Sequence, residues 1–378
     1  MKLTIIGAVL ACLFLAPAER QEVPSFRDDE AFHGRGAWVL ENRHLRVTLL
    51  RDGGHIAELR LITDDPLAGI NPMFVPSDAG YVGHLVCFPY YGPASPDERK
   101  RGLGGHGEAG SVEWRQTRPP SISEGRLTFF YGAELPRTDY RIERAVRMRI
   151  GEPVVSVEES VENLADYDRP YNWNQHATFG APFVGPKMNV LDMSATKGMT
   201  DPQRTGNGQW APAQQFHWPS ARRSDGSPVS LREFRAVPDG QVYTPVLTDP
   251  NELAWFTLYN PDQRLLVGYA FPSADHPWII DWQNQPGTAG RSANARGIQF
   301  GTSPFDEGLR RSVERGQMFG VSTYRWIPAR TSRSTTFTIF LTEIPTGFAG
   351  VQAIRMDGDR IILDERGTKT ELSITRSR

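Results

Sequence analysis

The sequence predicts an all-β protein, a large antiparallel β-sandwich with only a few short helices. Apolar and polar residues alternate with a period of two along many segments, helix signals are rare, and no repeat divides the 378 residues into smaller units. A parallel α/β architecture needs a crossover helix between successive strands, and the helix signals are too few for that. We therefore expect two large antiparallel sheets packed face to face.

The strand pattern is clearest in four segments. Residues 45–49, 140–150, 155–162 and 337–341 each alternate between apolar and polar positions. Such alternation is typical of strands with one face in the core and one face in solvent.

Two short segments carry helix signals. Residues 95–102, SPDERKRG, begin with Ser95 as a cap, continue with a proline and end at Gly102. Residues 306–316, DEGLRRSVERG, predict a short helix that ends at Gly316.

The N-terminus predicts export. Residues 1–18 combine a positive start, an apolar run and small residues before Ala18, as in a signal peptide cleaved near that alanine. Cys12 follows Val-Leu-Ala and faintly suggests lipoprotein cleavage instead, but apolar residues continue past it and favour Ala18. We therefore expect the bacterial periplasm or secretion, with no membrane span. The mature chain then keeps only Cys87 and forms no intramolecular disulfide.

The rest of the chain divides into three parts. Residues 19–36 predict an N-terminal linker, and residues 37–345 predict the sandwich domain. Residues 346–378 predict a C-terminal β-hairpin packed on the sandwich, with the first turn at an Asp-Gly pair and a further short strand after it.

Residues 194–241 interrupt the strand pattern. This segment is rich in Gly, Pro, Ser, Asn and Arg, yet it contains Trp210, Phe216 and Trp218. The aromatic residues argue against disorder. The segment either covers a ligand cleft or packs onto the sandwich.

Charge and motifs exclude several classes of function. A net charge of −2 argues against a nucleic-acid partner. The abundant arginine reflects either genomic composition or a set of bidentate donors. The sequence shows no ligand spacing for a metal, no phosphate-binding loop followed by a helix and no nucleophile elbow, so we expect neither metal nor cofactor. A pair of carboxylates for glycoside hydrolysis stays open.

Two histidines stand in unusual surroundings. His106 lies among glycines in GLGGHGEAGSVEW, and His176 lies among aromatic and amide residues in YNWNQHATFG. A histidine in a β-sandwich is more often a packing or surface residue than a catalyst. Each of these two histidines is therefore either a packing residue or part of a ligand site. His84 and His217 are the next candidates.

Four motifs in order resemble the galactose mutarotase (aldose 1-epimerase-like) superfamily. They are NRHLRVTLLRDGGHIAELRL, GGHGEAGSVEW, VEESVENLADYDRPYNWNQHATFG and GIQFGTSPF, and the resemblance spans about residues 37–345. It implies a supersandwich that binds a monosaccharide or short saccharide. The segment 194–241 would then form a rim that stacks on a sugar ring.

The resemblance also implies a reaction. Anomer interconversion needs a base for the anomeric hydroxyl and an acid for the ring oxygen, and histidine can serve near neutral pH. By the family pattern His176 is the general acid and His106 holds the ring oxygen or a hydroxyl, with the glycines around it allowing close approach to the ligand. Trp173, Asn174 and Tyr91 are the expected substrate contacts.

The chain departs from the family pattern at two positions. Gln299 stands where the superfamily has its glutamate base, and an amide cannot abstract a proton. It can still hydrogen-bond an anomeric hydroxyl, so Gln299 is an expected substrate contact. Tyr90 and Tyr91 stand where an arginine is usual, so Arg296 is the expected replacement donor.

The missing base leaves two hypotheses. Either another carboxylate replaces it, with Asp281, Asp306 and Glu108 as candidates, or turnover is lost and the protein is a saccharide-binding or envelope scaffold protein. Asp281 is also an expected substrate contact. The sequence does not predict an oligomeric state.

Overall fold

The computed structural model describes residues 23–75, 82–185, 189–206, 208–233, 241–250, 252–284 and 295–375. The predicted signal peptide therefore lies outside the described residues. The strands, in chain order, are β1 Ser25–Phe32, β2 Arg35–Glu41, β3 Leu45–Leu50, β4 Ile56–Leu61, β5 His84–Cys87, β6 Arg115–Ser123, β7 Arg126–Leu135, β8 Tyr140–Arg149, β9 Val154–Asn163, β10 Arg169–Tyr171, β11 Asn174–Gly180, β12 Val190–Met193, β13 Lys197–Met199, β14 Gln215–His217, β15 Ser220–Arg222, β16 Pro228–Ser230, β17 Gln241–Leu247, β18 Leu253–Asn260, β19 Leu265–Pro272, β20 Trp278–Asn284, β21 Ala295–Gly301, β22 Gln317–Met318, β23 Val321–Ser322, β24 Arg325–Ile327, β25 Ser332–Glu343, β26 Val351–Asp357, β27 Arg360–Glu365 and β28 Glu371–Thr375. The helices are α1 Pro96–Lys100 and α2 Leu309–Arg315, with a short 3₁₀ turn at Ala109–Ser111.

Two large antiparallel sheets form the sandwich. Within the described residues the first sheet has the strand order β1-β2-β3-β4-β5-β11-β21-β20-β17-β13-β14-β15-β16. The second has the order β12-β18-β19-β25-β9-β8-β7-β6. The main core lies between them and joins, for example, Val47 and Ala177 of the first sheet to Val157 and Ile339 of the second. The predicted fold class is confirmed.

Both predicted helices are present, and their signals act as expected. The side chain of Ser95 accepts a hydrogen bond from the backbone N–H of Glu98, and the Glu98 carboxylate accepts one from the N–H of Ser95. This reciprocal pair is a capping box. The second helix ends at Gly316, which has a left-handed φ of 73°.

The predicted N-terminal linker is wrong for part of its length. Ser25–Phe32 forms the edge strand β1 and pairs with β2, and Phe26 packs against the main core. The strand is hard to recognise from sequence because charged residues occupy its middle. Charges are common on edge strands, where they discourage pairing with a second sheet.

Part of the segment predicted as irregular, 194–241, lies outside the described residues, and its described residues between 194 and 233 form four short strands that extend the first sheet. They are β13, β14, β15 and β16, each three residues long, too short to show a periodic pattern. Trp210 and Phe216 are buried in the main core. These aromatic residues therefore pack onto the sandwich.

The C-terminal residues form a separate three-stranded sheet, β26-β27-β28, with a tight turn at Gly358. The first two strands form the predicted hairpin, and β28 is the further short strand that the sequence predicted. Ile354, Ile361 and Leu363 pack against Leu266 and Phe340, on the face of the second sheet that points away from the main core. The domain boundaries themselves remain predictions. Within the described residues no helix has the length and apolar character of a membrane span.

Candidate active site

Strand β11 lies in the middle of the first sheet and determines which residues can meet. It pairs with β5 on one side and with β21 on the other. Because side chains alternate along a strand, Asn174 and His176 share one face, while Trp173 and Gln175 share the other. The second face belongs to the main core, which contains Trp173. We call the face that carries His176 the outer face.

Gln299 is the cross-strand neighbour of His176 on the outer face. The two residues are directly paired between β11 and β21, and Ile280 of β20 is paired with Gln299 on its other side. The Gln299 side chain is fully buried, and neither its Oε1 nor its Nε2 has a hydrogen-bond partner within the described residues. An unpaired buried polar atom costs about 1–3 kcal/mol. An unpaired buried amide beside His176 therefore requires a functional explanation.

His106 reaches the outer face from a tightly constrained loop. Its backbone has a left-handed φ of 64°, and its N–H donates to the carbonyl of Gly92 at 2.7 Å. A Cβ at Gly107 would lie 2.1 Å from the carbonyl oxygen of Phe88, so only glycine fits there. Gly107 therefore allows close approach of the Phe88 backbone, whereas the sequence predicted that these glycines allow close approach to a ligand. The ring centroids of His106 and His176 are 6.0 Å apart and their planes meet at 78°.

Tyr91 extends the site beyond His106. The two ring centroids are 5.6 Å apart, and the buried Tyr91 hydroxyl has no hydrogen-bond partner in the described part of the chain. Burial, together with the nearby Asp306 carboxylate, raises the pKa of this hydroxyl well above its usual value. The hydroxyl is therefore neutral and can either donate or accept a hydrogen bond.

Two aromatic residues line the opposite side. The Trp282 ring centroid is 5.7 Å from that of His176, and the Tyr243 ring centroid is 6.2 Å from that of Trp282. Gly297 makes this approach possible, since a Cβ there would lie 2.8 Å from Trp282 and 3.1 Å from His176. Indole and phenol rings beside hydrogen-bonding groups suit a ligand with both apolar and polar faces.

A charged pair closes the arrangement. The Tyr243 hydroxyl donates to Asp306 Oδ2 at 3.2 Å, and Arg204 Nη2 lies 3.0 Å from the same oxygen. Arg204 also donates from Nη1 to the Asp306 carbonyl at 2.9 Å. We define the outer-face site as the following residues: Tyr91, His106, His176, Arg204, Tyr243, Trp282, Gln299 and Asp306.

Three of the predicted contacts lie on the other face of the sheet. Arg296 is fully buried on the core face and donates from Nε and Nη2 to Asp281, each at 2.9 Å. Arg296 also donates to the Leu231 carbonyl at 2.9 Å. Trp173 donates its indole N–H to Glu159 inside the sandwich. The structure therefore does not bring Arg296, Asp281 or Trp173 together with His176.

Asn174 lies on the outer face, but its side chain has a structural role. Its Nδ2 donates to the Ser303 carbonyl at 2.8 Å, and its Oδ1 accepts from the Ser303 N–H at 3.2 Å. Asn174 thus anchors the chain after β21. Of the predicted substrate contacts, Tyr91 and Gln299 are the ones that the structure places with the two histidines.

The three candidate carboxylates occupy different places. Asp281 forms the core ion pair, and Glu108 is fully buried where it accepts from the Arg137 N–H at 3.1 Å and the Thr138 hydroxyl at 2.8 Å. Only Asp306 of these three belongs to the outer-face site. Of the two further histidines, His84 lies in the core and His217 is exposed.

Sequence reasoning missed Tyr243, Trp282 and Arg204. Trp282 could have been placed on the same face as Trp278 and Ile280, because the three residues occupy alternate positions along β20. Arg204 had none, since it enters from the segment without periodicity. Within the described residues no group of three or more His, Cys, Asp or Glu side chains is arranged to hold a metal ion.

The architecture is that of galactose mutarotase-like proteins, as the sequence resemblance implied. A galactose mutarotase-like protein from Clostridium acetobutylicum superposes with a TM-score of 0.57 at 12% identity, covering 86% of this chain and 100% of its own. One from Lactobacillus casei gives a TM-score of 0.56 at 14% identity, covering 81% and 100%. A galactose mutarotase related enzyme from Lactobacillus acidophilus gives 0.54 at 14% identity, covering 82% and 99%. At these identities the likeness concerns the fold.

The family follows from the sequence itself. Residues 131–340 match the family described as domain of unknown function DUF4432, which is more than half of the chain. The protein therefore belongs to the DUF4432 family. A comparison with curated protein sequences finds no match.

Proposed function

We propose that the outer-face site binds a monosaccharide or short saccharide and interconverts its anomers by acid–base catalysis. The observation that supports this most is the buried amide of Gln299, with both polar atoms unpaired in the described part of the chain, directly beside His176. A sugar hydroxyl can donate to its Oε1 and accept from its Nε2. The paired hydroxyls of a saccharide match such an amide well.

The proposed reaction uses His176 as the proton donor and His106 as a hydrogen-bonding group. His176 gives a proton to the ring oxygen while the anomeric hydroxyl loses one, the bond between the anomeric carbon and the ring oxygen breaks, and an open aldehyde results. Rotation about the adjacent carbon–carbon bond and closure with the roles reversed give the other anomer. His106 holds the ring oxygen or a neighbouring hydroxyl. Asp306 is the carboxylate best placed to accept the anomeric proton.

A second candidate function is saccharide binding without turnover. Two features favour it: an amide occupies the position where the superfamily has its base, and Oδ2 of Asp306 already accepts from Tyr243 and lies against Arg204. In this case the site keeps its hydrogen-bonding groups but lacks a free base.

The test is NMR exchange spectroscopy of several aldoses with the wild type, His176→Ala, Asp306→Asn and Gln299→Glu. His217→Ala is the matched control, because His217 is exposed on β14 away from the outer-face site. General acid–base groups typically contribute about 10²–10⁴-fold in rate. We expect wild type and His217→Ala to accelerate exchange equally, and His176→Ala and Asp306→Asn to lose at least about 100-fold.

Two other outcomes have clear meanings. Acceleration by Gln299→Glu alone would show that the natural protein binds without turnover. No acceleration by any of the proteins, with unfolding temperatures that confirm folding, would contradict the catalytic proposal for the sugars tested.

We also propose that the protein is exported after cleavage near Ala18. The support is the signal-peptide pattern of residues 1–18. N-terminal sequencing of the mature protein from its native host tests this. A mature chain that begins at Met1, or at a lipidated Cys12, would contradict it.

A further inference from the structure

A second cavity lies at one end of the sandwich. It has a volume of about 200 Å³ and lies between the antiparallel strand pair β10–β24, the turn before β20 and the start of β25. We call it the sandwich-end cavity; the lining residues used below are Asp275, His276, Arg325, Trp326, Arg333 and Thr335. Trp173 also lines it, and Trp173 faces the opposite side of β11 from His176. The cavity is therefore separate from the outer-face site.

The cavity has an excess of positive charge. Arg325 and Arg333 both line it, and neither forms an ion pair with a carboxylate of the described residues. Arg325 makes a long hydrogen bond of 3.4 Å from its Nη2 to the carbonyl of Ala274. A guanidinium is well suited to bind a carboxylate with two parallel hydrogen bonds. This chemistry points to an anionic ligand.

An exposed aromatic residue stands beside these arginines. Trp326 is 54% exposed, although a side chain of this kind is usually largely buried. It lies on β24 opposite Pro170, with the Tyr324 ring 6.1 Å away. An exposed indole at the mouth of a polar cavity offers a flat surface on which a ligand ring can stack.

Asp275, His276 and Thr335 add directed hydrogen-bonding groups. The Thr335 hydroxyl donates to Asp275 Oδ2 at 2.9 Å, so it accepts from His276 Nε2 at 3.0 Å. Nε2 then carries the proton, and the buried Nδ1 is an acceptor without a hydrogen-bond partner among the described residues. Burial, and next the Arg325 charge, lower the pKa of His276 to about 3, so its ring is neutral at neutral pH. A hydroxyl-bearing ligand can supply the missing donor.

We propose that the sandwich-end cavity binds a sugar ring that carries a carboxylate, a uronic acid residue. The two guanidiniums would bind the carboxylate, and Trp326 would stack on the apolar face of the ring. Asp275 and His276 would form hydrogen bonds with its hydroxyls. The volume suits a single ring, because it lies below the about 300–1,000 Å³ of pockets for drug-sized ligands. The proposal does not depend on catalysis at the outer-face site.

The test is calorimetric titration with glucuronate and galacturonate, with glucose, galactose and acetate as comparison ligands. Arg325→Gln and Trp326→Ala are the test variants, and Arg360→Gln is the matched control, since Arg360 is an exposed arginine of the C-terminal sheet and does not line the cavity. His176→Ala is included to separate the two sites. Trp326 is exposed and Arg325 is half-buried, and thermal unfolding checks that both variants fold.

We expect uronate binding at least about tenfold weaker in Arg325→Gln and Trp326→Ala, and unchanged in Arg360→Gln and His176→Ala. Neutral sugars and acetate should bind this cavity at least about tenfold more weakly than the uronates. Uronate affinity unchanged by Arg325→Gln would overturn the proposal. Equal affinity of this cavity for acetate, measured as the binding that Arg325→Gln removes, would overturn the role of the ring. Equal affinity of this cavity for glucose, measured in the same way, would overturn the role of the carboxylate. Anomer exchange by Arg325→Gln should equal that of the wild type, so failure at one site is distinguishable from failure at the other.

Discussion

At the scale of single residues, two buried glutamines on neighbouring strands are used in opposite ways. Gln175 faces the core, where its Oε1 accepts from His84 at 2.9 Å and from Arg144 at 3.1 Å, and its Nε2 donates to Glu159. Gln299 faces outward with neither polar atom paired within the described residues. The Gln175 amide stabilises the fold. The unpaired Gln299 amide lowers the stability of the fold, and hydrogen bonds to a ligand would offset that loss.

This contrast gives a prediction about stability. Gln299→Met should raise the free energy of unfolding by about 1–3 kcal/mol, because it removes two unpaired buried polar atoms at similar volume. Gln175→Met should lower it by about 3 kcal/mol, because three buried partners lose their hydrogen bonds. Denaturant unfolding of both variants measures the difference. Equal destabilisation by the two substitutions would show that the Gln299 amide is paired in solution.

Residue separation along a strand explains which site predictions failed. Trp173 is three residues from His176, and Arg296 is three residues from Gln299, so each pair points to opposite faces. Whether the separation of two residues is odd or even could be read from the sequence once the strands were recognised. The role of Asn174 was not, because it depends on the path of the chain after β21.

At the scale of elements, β8 and β9 carry two ion pairs in the same register but in different surroundings. Arg144 is paired with Glu159 and Arg141 with Glu162 across the two strands. The first pair is fully buried, whereas the side chains of the second are 49% and 37% exposed. The buried pair also forms hydrogen bonds with Gln175, and so it stabilises β11 from the core side of the sheet.

The two pairs should therefore differ strongly in their response to substitution. Glu159→Gln should destabilise the protein by about 3–5 kcal/mol, because it leaves the Arg144 charge buried without a counter-ion. Glu162→Gln should cost less than about 1 kcal/mol. Chemical denaturation of the two variants provides the comparison. A cost below about 1 kcal/mol for both would mean that Arg144 is solvated in the folded protein.

Elements with their own local signals could be predicted, and those without could not. Both helices carried a glycine stop in the sequence, and the first also carried a serine cap. The strands β13 to β16 have three residues each, which is less than two periods of alternation, so no pattern could identify them. Arg204 reaches the outer-face site from this segment, and for that reason it escaped prediction.

At the scale of the whole molecule, several buried histidines make stability depend on pH. Burial is the main cause that lowers the pKa of His55 to about 4 and those of His84 and His276 to about 3, from 6.5 in the unfolded chain. Between about pH 6.5 and pH 4 the unfolded chain binds protons that the folded protein does not. The free energy of unfolding therefore falls as the pH is lowered through this window.

Each such histidine contributes a slope of up to about 1.4 kcal/mol per pH unit. His84→Gln should make the profile shallower between pH 6.5 and pH 4, whatever its effect at neutral pH. Unfolding free energies measured at half-unit steps give both slopes. Identical slopes in wild type and variant would contradict burial of a neutral His84.

The fold was predictable from the order of motifs, but the site depended on register. Alternation and the four motifs predicted the sandwich, and the structure confirms it. Strand order across the sheet determines that His176 pairs with Gln299. It also determines that Tyr243 and Asp306 lie near them. Strand order joins residues more than a hundred positions apart, and no local pattern carries that information.

The proposed saccharide site depends on the Gln299 amide as a ligand contact. The most direct test follows the Nε2–H₂ resonances of Gln299 by NMR during titration with a panel of neutral aldoses, with Gln299→Met to assign them. We predict that at least one aldose shifts these resonances in a saturable manner and that the Gln175 amide, buried in the core, stays unchanged. Resonances of Gln299 that stay unchanged across the whole panel would contradict its role as a ligand contact.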